Sequence, residues 1–410
     1  MSITGRVLVP TCTTAAGVIV QAVPAASVLA PAFSVASNER ELRLDLFRGL
    51  ALWLIFIDHV SPDLLTWFTI RNYGFSDAAE IFIFISGYTA AFVYGRAMLK
   101  SGFTVASARI LKRVWQIYAA HVLLFAILVA EVSYVAISLE KPFYAKEMEI
   151  VEFLNQPGES LIQALLLRYR PLNMDVLPLY IVLMFFLPLI LQMIKWRANL
   201  TLAMSVALYA LCWRYDLHLQ AYPNGFWSFN PFAWQLLFVF GAWCALGGVR
   251  QMSGILSSPI TLWIALAYLL AAFGVTMTWY FPQLNHLPHW VEQWIYPIDK
   301  TDFDVLRFAH FLALAVVAVR FVPAGWPGLK SPWLRPMILC GQYSLQIFCL
   351  GVALGFAGYF LLMEASAGIG LHFLVGISGI VIMSAVAWLF TWYKRVADKS
   401  ANARPVLPSA

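Results

Sequence analysis

Residues 44–60, LDLFRGLALWLIFIDHV, are apolar enough to enter a bilayer, yet they carry ionisable side chains that hydrocarbon disfavours. Ten residues separate Arg48 from His59. On an α-helix these two side chains share one face and lie about 16 Å apart along the axis. Ionisable groups in a membrane helix usually face a bundle interior or a wet cavity. The spacing is compatible with a functional site, and equally with a buried structural ion pair beside a satisfied histidine.

The whole chain has the composition of a helical membrane protein. Its 410 residues are 61% hydrophobic and 12% charged, whereas soluble domains carry about 25% charged residues. Apolar runs close to the length of a membrane helix recur, and they are continuous rather than alternating, which favours helices over a β-barrel. A net charge of +6 is too small to indicate a nucleic-acid partner. The 5 cysteines form no CxxC pair, so we predict neither a metal site nor a disulfide framework.

The apolar runs predict an all-α integral membrane protein, a polytopic bundle of about ten transmembrane helices. With the N-terminus and the C-terminus both cytoplasmic, 19 of the 27 Lys and Arg residues lie on the inner side, as the positive-inside rule expects. Residues 1–38 are predicted to be a disordered Ala- and Pro-rich tail, residues 39–395 the membrane domain and residues 396–410 a cytoplasmic tail. The ten predicted spans are 45–63, 78–98, 113–137, 174–194, 199–213, 231–249, 259–281, 304–322, 337–362 and 372–393.

Three stretches resemble the membrane-bound acyltransferases of the acyltransferase-3 superfamily. Residues 45–49, DLFRG, followed by His59, resemble the first-helix signature of that family, in which ten residues separate Arg from His. Residues 77–88, DAAEIFIFISGY, resemble its second helix, which ends in a Ser-Gly-aromatic element. Residues 109–118, RILKRVWQIY, resemble the basic stretch that opens its third helix.

Further stretches resemble the OpgC-type branch, which is associated with succinylation of osmoregulated periplasmic glucans. They are residues 173–180 (NMDVLPLY), 230–235 (NPFAWQ), 300–310 (KTDFDVLRFAH) and 341–348 (GQYSLQIF). The resemblance covers about residues 40–395. It implies a multi-pass enzyme of the bacterial inner membrane that moves an acyl group, expected to be succinyl, from a cytoplasmic acyl-CoA to a glucan hydroxyl. Membrane lipids, succinyl-CoA and a periplasmic glucan are the implied partners, with no permanently bound cofactor.

The family reaction suggests roles for the ionisable residues. A sugar hydroxyl is a weak nucleophile, and His59 is predicted to be the general base because imidazole has a pKa near 6.5. Arg48 would bind the phosphate or carbonyl side of the donor, or support the site structurally. His59 and its helix neighbour Asp58 do not face one another. An acid elsewhere in the chain is therefore expected to orient the imidazole, and the candidates are Asp45, Glu80 and Asp175.

Two further groups of side chains belong to the predicted site. The inner basic stretch would bind donor phosphates, or is an ordinary basic loop; its members are Arg109, Lys112 and Arg113. The outer group would bind the acceptor or the succinyl carboxylate, and its members are Lys300, Arg307, His310, Trp234, Gln235 and Gln342. Alternatively, Lys300 and Arg307 pair with outer acids, and the two glutamines bond to neighbouring helices.

Two other functions fit the same residues. One keeps the chemistry but changes the acceptor to another surface glycan or a small metabolite. The other is a transporter that moves an anionic solute along the path between Arg48 and His59 without chemistry. The sequence shows no internal repeat, which disfavours transporter folds built from repeats.

Overall fold

A computed structural model describes residues 41–60, 64–285, 288–365 and 368–402 of the chain. The predicted N-terminal tail, residues 1–38, and residues 403–410 of the predicted C-terminal tail lie outside these ranges. Regular secondary structure in the described part is helical, with one isolated β-bridge between Gln220 and Phe226. The all-α prediction is therefore confirmed for the described part of the chain.

The helices that lie in the predicted apolar runs are numbered in chain order. They are α1 (Leu42–Val60), α2 (Ala78–Ser138), α3 (Val176–Tyr215), α4 (Pro231–Trp243), α5 (Pro259–Tyr280), α6 (Val305–Phe321), α7 (Arg335–Gln342), α8 (Ser344–Glu364) and α9 (Ile369–Asn402). Further helices between them include Phe143–Glu147, Val151–Asn155, Pro157–Leu165, Ser253–Ser257 and His289–Ile295, and the single 3₁₀ turns Leu65–Phe68 and Ile70–Asn72.

Breaks inside long helices divide the chain close to where the predicted spans end. In α2, Gly102 has φ 81°, a left-handed conformation that glycine adopts without a Cβ penalty. In α3, Arg197 has the non-helical angles φ −149° and ψ 89°. The predicted continuous span 337–362 is instead interrupted at Tyr343, between α7 and α8.

Six helices in the described part of the chain are long and apolar enough to cross a membrane, which is compatible with a multi-pass membrane protein. Helix α1 is excluded from this set by its charged residues, and α6, with 17 residues, is short. The number of ten spans and the cytoplasmic position of both termini stay predictions. The six ranges are Ala78–Ser138, Val176–Tyr215, Pro231–Gln251, Pro259–Tyr280, Ser344–Glu364 and Ile369–Lys399.

Helix α1 is enclosed by its neighbours, and its backbone touches that of α7. It packs against α2, α7, α8 and α9. A Cβ added to Gly49 would lie 1.8 Å from the carbonyl oxygen of Met337, and one added to Gly341 would lie 1.9 Å from that of Asp45. Glycine at both positions therefore permits this close approach, as small residues do between membrane helices. The packing fixes the direction in which the C-terminal end of α1 presents His59.

Candidate active site

A cavity of about 510 Å³ lies where the C-terminal end of α1 meets the N-terminal ends of α2, α3 and α6. Its volume is in the range of about 300–1,000 Å³ that is usual for small-molecule sites. Aromatic side chains form part of the wall, namely Phe75, Phe229, Trp279, Tyr280 and Phe348. The ionisable lining residues are Asp58, His59, Arg71, Asp77, Asp175, Lys300 and Arg307.

The imidazole of His59 is oriented by its own helix. Its Nδ1 bonds to the carbonyl oxygen of Ile55, one turn earlier. Because a carbonyl only accepts hydrogen bonds, Nδ1 must carry the proton and Nε2 the free lone pair. A neutral imidazole in this tautomer can accept a proton at Nε2 from a substrate in the cavity.

We expected an acid to orient the imidazole, whereas a backbone carbonyl bonds to Nδ1 and the three candidate acids make other contacts. Asp45 is in the first turn of α1, at the opposite end from His59. Glu80 is bound to Arg307. Asp175 lines the cavity but pairs with Arg170, Nε to Oδ1 at 3.3 Å. Burial lowers the pKa of Arg170, while Asp175 opposes that shift.

Four charged residues from two distant parts of the chain form one ion-pair network at the cavity wall. The Lys300 ammonium lies 2.6 Å from Asp77 Oδ2, and Arg307 Nη2 lies 3.3 Å from the same oxygen. Arg307 also binds Glu80 through Nη2 at 2.6 Å and Nε at 2.9 Å. Although burial opposes its ionisation, Lys300 and Arg307 hold the pKa of Asp77 well below its usual range. The two predicted cations are thus matched by two carboxylates.

The capping of α2 places both of these carboxylates. The Asp77 side chain accepts from the backbone N–H of Ala79 at 2.8 Å, and Glu80 accepts from the backbone N–H of Asp77 at 2.8 Å. This reciprocal arrangement is a capping box, which satisfies the free N–H groups at a helix start. The two acids lie at the N-terminal end of α2 because they form its capping box.

The aromatic ring of Trp234 positions Lys300 and does not line the cavity. Trp234 is fully buried, and its Nε1 donates to the carbonyl oxygen of Lys300 at 3.0 Å. The backbone N–H of Asn230 donates to the carbonyl oxygen of Thr301 at 3.0 Å. The Lys300 ammonium itself lies 5.1 Å from the centre of the Phe229 ring. The start of α4 therefore fixes the loop that carries Lys300.

His310 is buried behind the cavity and supports its wall. Its Nδ1 accepts from the Ser76 hydroxyl at 2.7 Å and from the Ser76 backbone N–H at 3.3 Å. A Cβ added to Gly74 would lie 1.9 Å from Nε2 of this ring. The contact holds residues 74–77 in place, and His310 is not part of the cavity lining.

The two glutamines are also outside the cavity lining. Gln235 bridges α4 to α3, because its Nε2 donates to the Ser205 carbonyl at 2.8 Å and its Oε1 accepts from the Ser205 hydroxyl at 2.6 Å. Gln342 is the last residue of α7. Gln235 therefore bonds to a neighbouring helix, which was one of the two alternatives for this residue.

The predicted donor-side residues lie away from the cavity. Arg48 donates to the carbonyl oxygen of Ile85 at 3.1 Å and to the Thr89 hydroxyl, so it ties α1 to α2. The basic stretch lies C-terminal to Gly102. Gly102 itself is about 36 Å along α2 from the start of the helix, at about 1.5 Å per residue. The structure therefore brings neither Arg48 nor the basic stretch (Arg109, Lys112 and Arg113) together with His59.

Two ionisable cavity residues had no place in the predicted site. Asp58 adjoins His59, and its Oδ1 is buried without a hydrogen-bond partner among the described residues. Arg71 lies in the 3₁₀ turn Ile70–Asn72 and is exposed. No motif marks Arg71, but its position in the short loop that follows the His59 helix was a usable signal.

Comparison with known proteins gives one family. The family model described as OpgC protein matches residues 40–395 of the chain. No curated protein and no solved structure matches it.

Proposed function

The chain belongs to the OpgC protein family, and from that premise we propose that it is a membrane O-acyltransferase of the acyltransferase-3 superfamily that succinylates a periplasmic glucan. Succinyl-CoA on the cytoplasmic side is the proposed donor, and the bacterial inner membrane is the proposed location. The observation that carries the proposal is His59, which lines the cavity with Nδ1 bonded to a backbone carbonyl and Nε2 left as a base.

In the proposed reaction, His59 Nε2 takes the proton of a glucan hydroxyl as that oxygen attacks the thioester carbonyl carbon. The carbon–sulfur bond then breaks, and the imidazolium returns the proton to the leaving thiolate. The products are the succinyl ester and the free thiol of the donor. Lys300, which lines the same cavity and keeps 44% of its side chain exposed, is the proposed cation for the oxyanion that forms during attack.

The donor's nucleotide end is proposed to bind on the opposite side of the membrane from the cavity. Arg109 and Lys112 are exposed there, as phosphate binding requires. Arg48, about 16 Å from His59 along α1 and bonded to α2, is proposed to hold the α1–α2 contact along which the acyl group must approach. No permanently bound cofactor takes part in this proposal.

The test is a strain that lacks the protein, with and without the wild-type chain restored. Periplasmic glucans are extracted and examined by mass spectrometry for the mass increment of a succinyl group. We expect the increment to be absent in the deletion strain and to return with the restored chain. Unchanged glucan succinylation in the deletion strain would remove the glucan as acceptor. A change in uptake of an anionic solute without any glycan change would favour the transporter.

A further inference from the structure

Most charges of the cavity lining are paired, and two charged residues, Asp58 and Arg71, form no ion pair with any residue that the structure describes. Lys300 and Arg307 are matched by Asp77 and Glu80 within 2.6–3.3 Å. Asp175, another carboxylate in the lining, forms an ion pair with Arg170 at 3.3 Å. Arg71 lines the same cavity, is exposed, and forms no ion pair with any residue that the structure describes.

The turn that carries Arg71 is firmly held although the side chain is exposed. Thr69 is buried, and its hydroxyl donates to the Thr66 carbonyl at 2.8 Å. Asn72 is buried as well; its amide donates to the Thr66 hydroxyl at 3.1 Å and accepts from the Tyr280 hydroxyl at 2.7 Å. Hydrogen bonds of the buried residues Thr69 and Asn72 thus hold the backbone on both sides of Arg71.

We propose that Arg71 binds the terminal carboxylate of the acyl group and so selects a dicarboxylic acyl group over a neutral one. This inference rests on the proposed acyltransferase function and names the group that the site transfers. The guanidinium offers a planar fork of donors that matches a carboxylate with two parallel hydrogen bonds. Arg307 is a poorer candidate because Asp77 and Glu80 already bind it, and Lys300 is the cation proposed for the oxyanion.

The test compares two donors on the purified full-length chain in lipid nanodiscs with a neutral glucan as acceptor. One donor is succinyl-CoA, and the other is its analogue in which a carboxamide replaces the terminal carboxylate. The measured quantity is the ratio of the two kcat/KM values. The variants are Arg71→Gln and Arg71→Lys, with Arg168→Gln as a matched control, because Arg168 is exposed and does not line the cavity.

We expect Arg71→Gln to lower kcat/KM for succinyl-CoA by about 10- to 100-fold, as loss of a charged hydrogen bond does. The kcat/KM for the carboxamide donor should change less than about threefold, because this donor makes no charge-assisted bond that the substitution could remove. The ratio of the two kcat/KM values for Arg71→Lys should lie between those of the wild type and Arg71→Gln. Arg168→Gln should keep the wild-type ratio.

Three results would overturn the inference. An equal loss of kcat/KM with both donors would indicate that Arg71 binds the acceptor or stabilises the fold. No loss with either donor would remove it from the site. A wild-type chain that turns over neither donor would reject the proposed function itself, and that result is recognised before any variant is made.

Discussion

His59 can serve as a base because its side chain bonds backward along its own helix. The bond from Nδ1 to the Ile55 carbonyl needs no second residue and fixes which nitrogen is free. Sequence spacing placed His59 and Arg48 on one face of a helix, but it could not show which group would meet Nδ1. That outcome depends on the rotamer of His59, which spacing along the helix does not determine.

The ion pairs of Arg307 give a prediction for stability. Arg307 is 8% exposed, and its removal leaves Glu80, which is fully buried, without its cation. Arg307→Gln should lower the free energy of unfolding by about 3–5 kcal/mol, because an unpaired buried charge is strongly unfavourable. Thermal unfolding of the purified protein in detergent measures the loss.

The matched comparison is the double variant in which Glu80→Gln accompanies Arg307→Gln. Because no buried carboxylate then loses its partner at position 80, the double variant should be more stable than the single variant. A single variant as stable as the exposed control Arg168→Gln would contradict the ion-pair network.

Among the helices, the contact between α1 and α7 is the one that most directly fixes the His59 helix. Gly49→Ala would place a Cβ 1.8 Å from a backbone oxygen of Met337, which no side-chain rearrangement can relieve. The helices must separate, and we expect a loss of about 1–3 kcal/mol in unfolding free energy together with reduced glucan succinylation.

A matched glycine is available for this experiment. Gly370 lies near the start of α9, and a Cβ there would meet nothing within 4 Å. Gly370→Ala should therefore leave both stability and succinylation unchanged. Equal behaviour of Gly49→Ala and Gly370→Ala would show that α1 and α7 are not in backbone contact.

The apolar runs predicted most of the helices, because continuous apolar sequence has few other structures in a membrane. The breaks at Gly102 and Arg197 lie between predicted spans, whereas the break at Tyr343 lies inside one and carries no proline or glycine signal at that position. The pairing of Glu80 with Arg307 was beyond prediction, since 227 residues separate them and spacing along a helix says nothing at that range.

For the whole molecule, the ten-span topology has a direct test by site-specific labelling. In a cysteine-free version of the chain, a single cysteine replaces either Lys146 or Lys195, both of which are exposed. With both termini cytoplasmic, a membrane-impermeant maleimide added to spheroplasts should label Lys146→Cys at once and Lys195→Cys only after permeabilisation. The opposite pattern, or immediate labelling of both, would contradict the predicted topology.

The central claim is that acyl transfer takes place in the cavity through His59, and one measurement tests it most directly. Glucan succinylation is measured by mass spectrometry in the deletion strain that carries wild type, His59→Ala or His289→Ala. His289 is the control, because its side chain is 81% exposed and lies outside the cavity lining. At equal membrane expression, we expect His289→Ala to match wild type and His59→Ala to lose about 100-fold or more, as loss of a general base does. Wild-type succinylation by a well-expressed His59→Ala chain would contradict the account.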